Sequence, residues 1–133
     1  MSETVITPQT PGRLHIRYRL SSGVAVVDVR GEIDVSTCGL LRDRLLLALT
    51  DQDRRSMVVN LAGVDFIDST GLGVLVAVWH RAQASTGILA LVAPSPQARA
   101  VFATTGLTKV FPLYDTEAHA VQACLAPPGG QPR

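Results

Sequence analysis

The run FIDSTGLG, from Phe66 to Gly73, sets a carboxylate and two hydroxyls directly before a pair of glycines. Such residues can do three kinds of chemistry. Asp68, Ser69 or Thr70 can cap a helix, because a side-chain oxygen at a helix start accepts backbone N–H groups that lack partners. A hydroxyl there can accept a phosphoryl group, since the free donors and partial positive charge of a helix start favour an added anion. A serine can also act as a nucleophile, which requires a base to take its proton. Capping is the ordinary reading of Asp, Ser and Thr, but it leaves the glycines unexplained. Glycine in a helix costs about 0.8–1.0 kcal/mol relative to alanine. Gly71 and Gly73 are therefore expected to keep the backbone bare for close approach of a partner.

Competing chemistries fail on spacing. The GLG run begins a G-x-G-x-x-G pattern, but its sixth position is Val76, and no G-x-x-x-x-G-K-[ST] loop occurs. A serine hydrolase elbow requires G-x-S-x-G with a histidine partner, whereas Ser69 follows an aspartate, His15 and His119 belong to other elements, and His80 lies farther along the same helix as a surface residue of the HRAQ segment. Cys38 and Cys124 form no C-x-x-C pair, and nothing has metal-ligand spacing. The expectation is a protein with no metal, no cofactor and no catalytic residue of its own, and hence not an enzyme.

The elements that position the run are legible from periodicity. RLHIRYRL alternates apolar and polar residues, SSG supplies a turn, and VAVVDVRG continues as a strand, giving an antiparallel hairpin. Asp34, Ser36 or Thr37 then offers a cap for an amphipathic helix with leucines at 41, 45 and 49. SMVVNLAGV reads as a short buried strand, STGLGVLVAVWHRAQAS as a helix, GILALVAP as a strand, SPQARAVFATTG as a helix and KVFPLYD as a short edge strand. Val74, Val76 and Val78 alternate as a strand would. The capping residues before them, and the need for a crossover between parallel strands, select helix. TEAHAVQACL closes the domain as a helix expected to bury Ala118, Val121 and Leu125. The class is α/β: a mixed sheet of about five strands that starts with an antiparallel hairpin, with about four helices.

Composition limits the partners. The 133 residues are 47% hydrophobic and 5% aromatic, sufficient for one aliphatic core. Twelve basic and eleven acidic residues leave a net charge of +1, with no basic footprint for nucleic acid or an anionic membrane. The longest apolar runs fall short of the roughly 20 residues that span a bilayer, and the N-terminal run has no secretory pattern. A cytoplasmic protein with reduced thiols is expected. Residues 1–12 and the Pro/Gly-rich 126–133 read as disordered tails around a domain at 13–125.

Three blocks, VRGEIDVST (Val29–Thr37), VVNLAGVDFIDSTGLG (Val58–Gly73) and FATTGLTKVF (Phe102–Phe111), resemble in order and spacing those of the STAS-domain anti-sigma factor antagonists. The resemblance extends over roughly residues 13–125. It implies a small α/β domain that binds an anti-sigma factor which is also a serine kinase, with a phosphatase to reset the site. Carried over by position, Ser69 is the phospho-acceptor, Asp68 precedes it, Thr70 is a secondary candidate, and Asp34 is a second acidic residue near the site. Asp34, Asp68, Ser69, Thr70, Gly71 and Gly73 are then the expected partner-binding residues. The unphosphorylated form would hold the anti-sigma factor and free the sigma factor. Other STAS domains serve as scaffolds, transporter appendages or small-ligand and nucleotide sensors, so a module without a phosphorylation switch is the alternative.

Overall fold

A computed structural model of the chain describes residues 14–50, 56–92, 96–109 and 111–125. The expected tails at 1–12 and 126–133 lie outside the described residues. Period-two alternation forms the first hairpin: Leu14 and Ile16 of β1 (Leu14–Ser21) enter the core while His15 and Arg17 face the other way. Ser22 and Gly23 make the turn with φ of 53° and 81°, the hand that matches strand twist in a two-residue hairpin. β2 (Val24–Ile33) returns antiparallel, with Arg17 opposite Asp28 and His15 opposite Arg30.

Strands and helices then alternate through α1 (Cys38–Thr50), β3 (Met57–Ile67), α2 (Ser69–Ala84), β4 (Leu89–Val92), α3 (Pro96–Thr104), β5 (Leu113–Tyr114) and α4 (Glu117–Leu125). The sheet order is β1-β2-β3-β4-β5, parallel from β2 onward. Each new parallel strand is laid on the same side of the last, so crossovers of one hand place their helices on one face. That face carries the main core: Leu41 and Leu45 of α1, Leu75 and Val78 of α2 and Phe102 of α3 pack with Val27, Val59 and Leu91. α4 follows the last strand and covers part of the opposite face, setting Ala120 and Val121 against Val26, Val58 and Ala90. The mixed five-stranded sheet with four helices agrees with the class read from the sequence, and the valine-rich segment at 74–79 is helical.

Two readings are corrected. β3 is not a short strand ending near Val64 but runs to Ile67. A register shift against β2 around Arg30 and Gly63 lets pairing resume, with Ile33 opposite Ile67. The buried face of α4 is Ala120 and Val121, with Cys124 beside them, whereas Ala118 and Leu125 are exposed. Glu117 fixes that rotation, because it is held over the sheet by Arg19 of β1 and Asn60 of β3. Arg19 also grips Asp28, at 2.6 and 3.1 Å. The hydrogen bond from Arg19 holds the Glu117 carboxyl below the usual glutamate range.

Candidate functional site

Ile33 and Ile67 are register partners at the carboxyl ends of two adjacent parallel strands, which lie about 4.7–4.9 Å apart. The residues that follow them, Asp34 and Asp68, therefore leave the sheet side by side. The Asp68 backbone N–H donates to the Ile33 carbonyl at 3.2 Å, joining the two exits. Ends of this kind are where open α/β sheets gather their binding loops.

Asp34 shapes the first exit. Its Oδ1 accepts the Ser36 N–H at 3.0 Å, the Ser36 hydroxyl at 2.8 Å and the Thr37 N–H at 3.2 Å, an Asx turn that leads into α1. Thr37 is fully buried, and its hydroxyl donates to the Glu32 carbonyl at 2.9 Å while accepting the Asp34 N–H at 2.9 Å. Of the three candidate caps, Asp34 serves the loop, and Thr37 ties the loop back to β2.

Asp68 shapes the second exit as the N-cap of α2. Its Oδ1 accepts the N–H of Thr70 at 3.0 Å and of Gly71 at 3.1 Å, together with the Thr70 hydroxyl. The two neighbouring hydroxyls thereby become unequal. Thr70 has its hydroxyl bound to the cap, while the Ser69 side chain is exposed and makes no hydrogen bond among the described residues. Ser69 opens a 16-residue helix, two of whose first N–H groups are taken up by Asp68. The arrangement presents a solvent-facing serine hydroxyl on a capped backbone at the positive end of a helix.

The glycines divide. Gly71 is buried, and a Cβ there would lie 2.5 Å from Cγ2 of Ile33 and 2.9 Å from Cγ1 of Ile67. The expectation that Gly71 leaves room for a partner is thus corrected: it lets α2 sit down on the ends of β2 and β3. Gly73 is exposed, a Cβ there would meet nothing within 4 Å, and its bare backbone faces outward.

The STAS domain family matches residues 15–120. The chain belongs to that family. As a STAS domain it is 32% identical over 106 residues to the anti-sigma-F factor antagonist RsfB of Mycobacterium tuberculosis, covering 80% of this chain and 85% of that one. Its fold superposes with a TM-score of 0.79 on the crystal structure of an anti-sigma factor antagonist from Mycobacterium paratuberculosis. That protein is 33% identical, with 88% of this chain and 98% of the other covered. The fold is also shared with the Bacillus anti-sigma factor antagonist SpoIIAA, solved unphosphorylated (TM-score 0.69) and phosphorylated (TM-score 0.63). SpoIIAA is 24% identical in each case, over 81% of this chain and 94% or 97% of that one.

Two exposed apolar residues flank the two strand exits and were not singled out from sequence. Val35, 74% exposed, follows Asp34, and Phe66, 49% exposed, precedes Ile67. Phe66 is paired with Glu32 across β2 and β3. The signal available was FI at a strand end, where only one of two successive side chains can face the core, and a lone valine within a polar loop. Among the described residues no three His, Cys, Asp or Glu are grouped to share a metal ion, and no helix is long and apolar enough to cross a membrane.

Proposed function

We propose that this STAS domain is an anti-sigma factor antagonist whose partner, an anti-sigma factor and serine kinase, phosphorylates Ser69. The observation that carries the reading is the inequality of the two hydroxyls: Ser69 exposed and unbonded among the described residues, Thr70 bound to the Asp68 cap. A kinase supplies its own Mg²⁺ and basic groups, so its substrate need only present an oxygen to the in-line γ-phosphoryl group in a fixed place. The capped start of α2 meets that requirement without unfolding. The RsfB relative and the Mycobacterium paratuberculosis structure, named as antagonists, support the antagonist part of the reading.

In this reading Asp34, Asp68, Ser69, Thr70 and Gly73 form the polar part of the partner surface, with Val35 and Phe66 as its apolar flanks. Gly71 serves it from inside. The unphosphorylated domain occupies the anti-sigma factor and frees the sigma factor in the cytoplasm. Phosphate on Ser69 adds about −1.5 to −2 charge at neutral pH beside two carboxylates and releases the partner, and a phosphatase restores the binding form. The chain acts here as substrate and ligand, with the chemistry supplied by its partners.

The test is to isolate the kinase by capture from a native lysate on wild-type protein and on Ser69→Ala, then incubate it with ATP and each variant. Tandem mass spectrometry should find one phosphate on Ser69 in the wild type and in Thr70→Ala, and none in Ser69→Ala. Phosphate confined to Thr70 would overturn the assignment.

A further inference from the structure

The face of the sheet opposite α1–α3 is only partly covered. α4 packs over β2, β3 and β4, and beyond it, among the described residues, the sheet floor lies open toward β1. There the strands enclose a groove of about 440 Å³ lined by His15, Arg17, Asp28, Arg30, Asn60 and Gly63, among others. The volume falls within the roughly 300–1,000 Å³ of small-ligand sites.

Its charges are unevenly matched. Asp28 in the groove and Glu117 of α4 are both held by Arg19, at 2.6 Å from Nε to Asp28 and 3.0 Å from Nη1 to Glu117. Arg17 lies directly opposite Asp28 in the β1–β2 register, yet it makes no ion pair with it, and the guanidinium groups of Arg17 and Arg30 have no hydrogen-bond or ion-pair partner among the described residues. Because Arg30 is opposite His15, Arg17 and Arg30 are diagonal neighbours on one face. Diagonal Cβ atoms stand about 7–8 Å apart, within reach of long side chains. Two unclaimed guanidiniums can therefore converge on one anion.

The floor is shaped for one of them. A Cβ at Gly63 would lie 2.7 Å from Cγ of Arg30, so the arginine stem rests on bare backbone at the β2–β3 register shift. Asn60 spends its carbonyl on the Ala62 N–H at 3.0 Å and its amide on Glu117 at 3.4 Å, which braces the wall without offering the groove a negative group.

We propose that this groove binds a small phosphate-bearing molecule, with Arg17 and Arg30 holding the phosphate and His15 at the rim. Guanidinium forks match phosphate oxygens bidentately, and charge-assisted bonds of this kind are the strong ones. The volume beyond the anion leaves room for an organic group over Ala62 and Gly63. The site is separate from Ser69, and the inference does not depend on the partner switch.

The experiment is a titration of the isotope-labelled full chain, followed by amide and arginine Nε–Hε resonances, with inorganic phosphate in one arm and phenyl phosphate in the other. Saturable shifts at Arg17, Arg30 and Gly63 are expected, weakened about tenfold or more in Arg17→Ala and in Arg30→Ala. Tighter binding of phenyl phosphate identifies an organic phosphate as the ligand class, and equal binding identifies the free ion as sufficient. Both side chains are exposed and unpaired among the described residues, so each variant should keep the wild-type spectrum elsewhere. Failure of both probes to give saturable shifts would overturn the proposal. So would shifts centred on Ser69 to Gly71, or affinities unchanged in the double variant.

Discussion

Replacing Gly71 by alanine adds one methyl group at the point where α2 meets two strand ends. Its Cβ would fall 2.5 Å from Ile33 Cγ2, 2.9 Å from Ile67 Cγ1 and 3.3 Å from Ile33 Cβ. Ile33 is fully buried and, being β-branched, has little freedom at χ1. The helix start must therefore lift away from the sheet. Overpacking of this kind costs about 1–3 kcal/mol, and the gain in helix propensity of about 0.8–1.0 kcal/mol offsets part of it. A net loss of about 1 kcal/mol is expected, a fall in Tm of about 4 °C or more. Gly73→Ala is the matched control, because its Cβ would meet nothing within 4 Å; it should gain up to about 1 kcal/mol from propensity alone. Urea denaturation of the two variants beside wild type measures the contrast. If Gly71→Ala were stabilised as much as Gly73→Ala, the packing account of Gly71 would be wrong.

Replacing Phe66 or Val35 by serine should weaken kinase capture severalfold while leaving Tm near wild type, since both are exposed; a matching loss of stability would assign them to the fold instead. The Glu117 carboxyl is lowered by its bond from Arg19, so the stability it adds is fully present above the ordinary glutamate value of about 4.3 and is lost as pH falls through the lower folded value. Glu117→Gln should accordingly be less stable than wild type at neutral pH and show a shallower acid decline, as read by denaturant midpoints across pH. Burial pushes the Cys124 thiol up to about 12, so in the native protein a thiol reagent at mildly alkaline pH should label Cys38 first. Equal rates would contradict the packing of Cys124 on the second face.

The hairpin and the helix–strand alternation were legible because each has a clear period and each break carries a turn or cap residue. The Asp68 cap outweighed the alternation of Val74, Val76 and Val78, and α2 is a helix. The face of α4 was not legible, since a nine-residue helix rich in alanine has several equivalent stripes; its rotation is decided by the distant pairing of Glu117 with Arg19. The reach of β3 to Ile67 depends on a register shift that no local pattern announces. That same register brings Ile33 and Ile67 together under Gly71, so the glycine's reason is a long-range contact. At the site, the residue types Asp34, Asp68, Ser69 and Thr70 were readable, but which hydroxyl the cap would engage was not.

In the proposed switch, one phosphate on Ser69 should be enough to separate this STAS domain from the kinase that captures it. Calorimetric titration of the captured kinase with unmodified protein, with protein phosphorylated on Ser69, and with Ser69→Ala and Ser69→Asp measures this directly. Two unit charges about 4 Å apart interact by roughly 4 kcal/mol at an effective dielectric of about 20. Solvent at this exposed position screens most of that, and a residual of about 1.4 kcal/mol corresponds to tenfold weaker binding. The unmodified and alanine forms should bind alike, and the phosphorylated and aspartate forms at least about tenfold more weakly, all four with the same circular dichroism spectrum. Phosphorylated protein binding as tightly as unmodified protein would contradict the account.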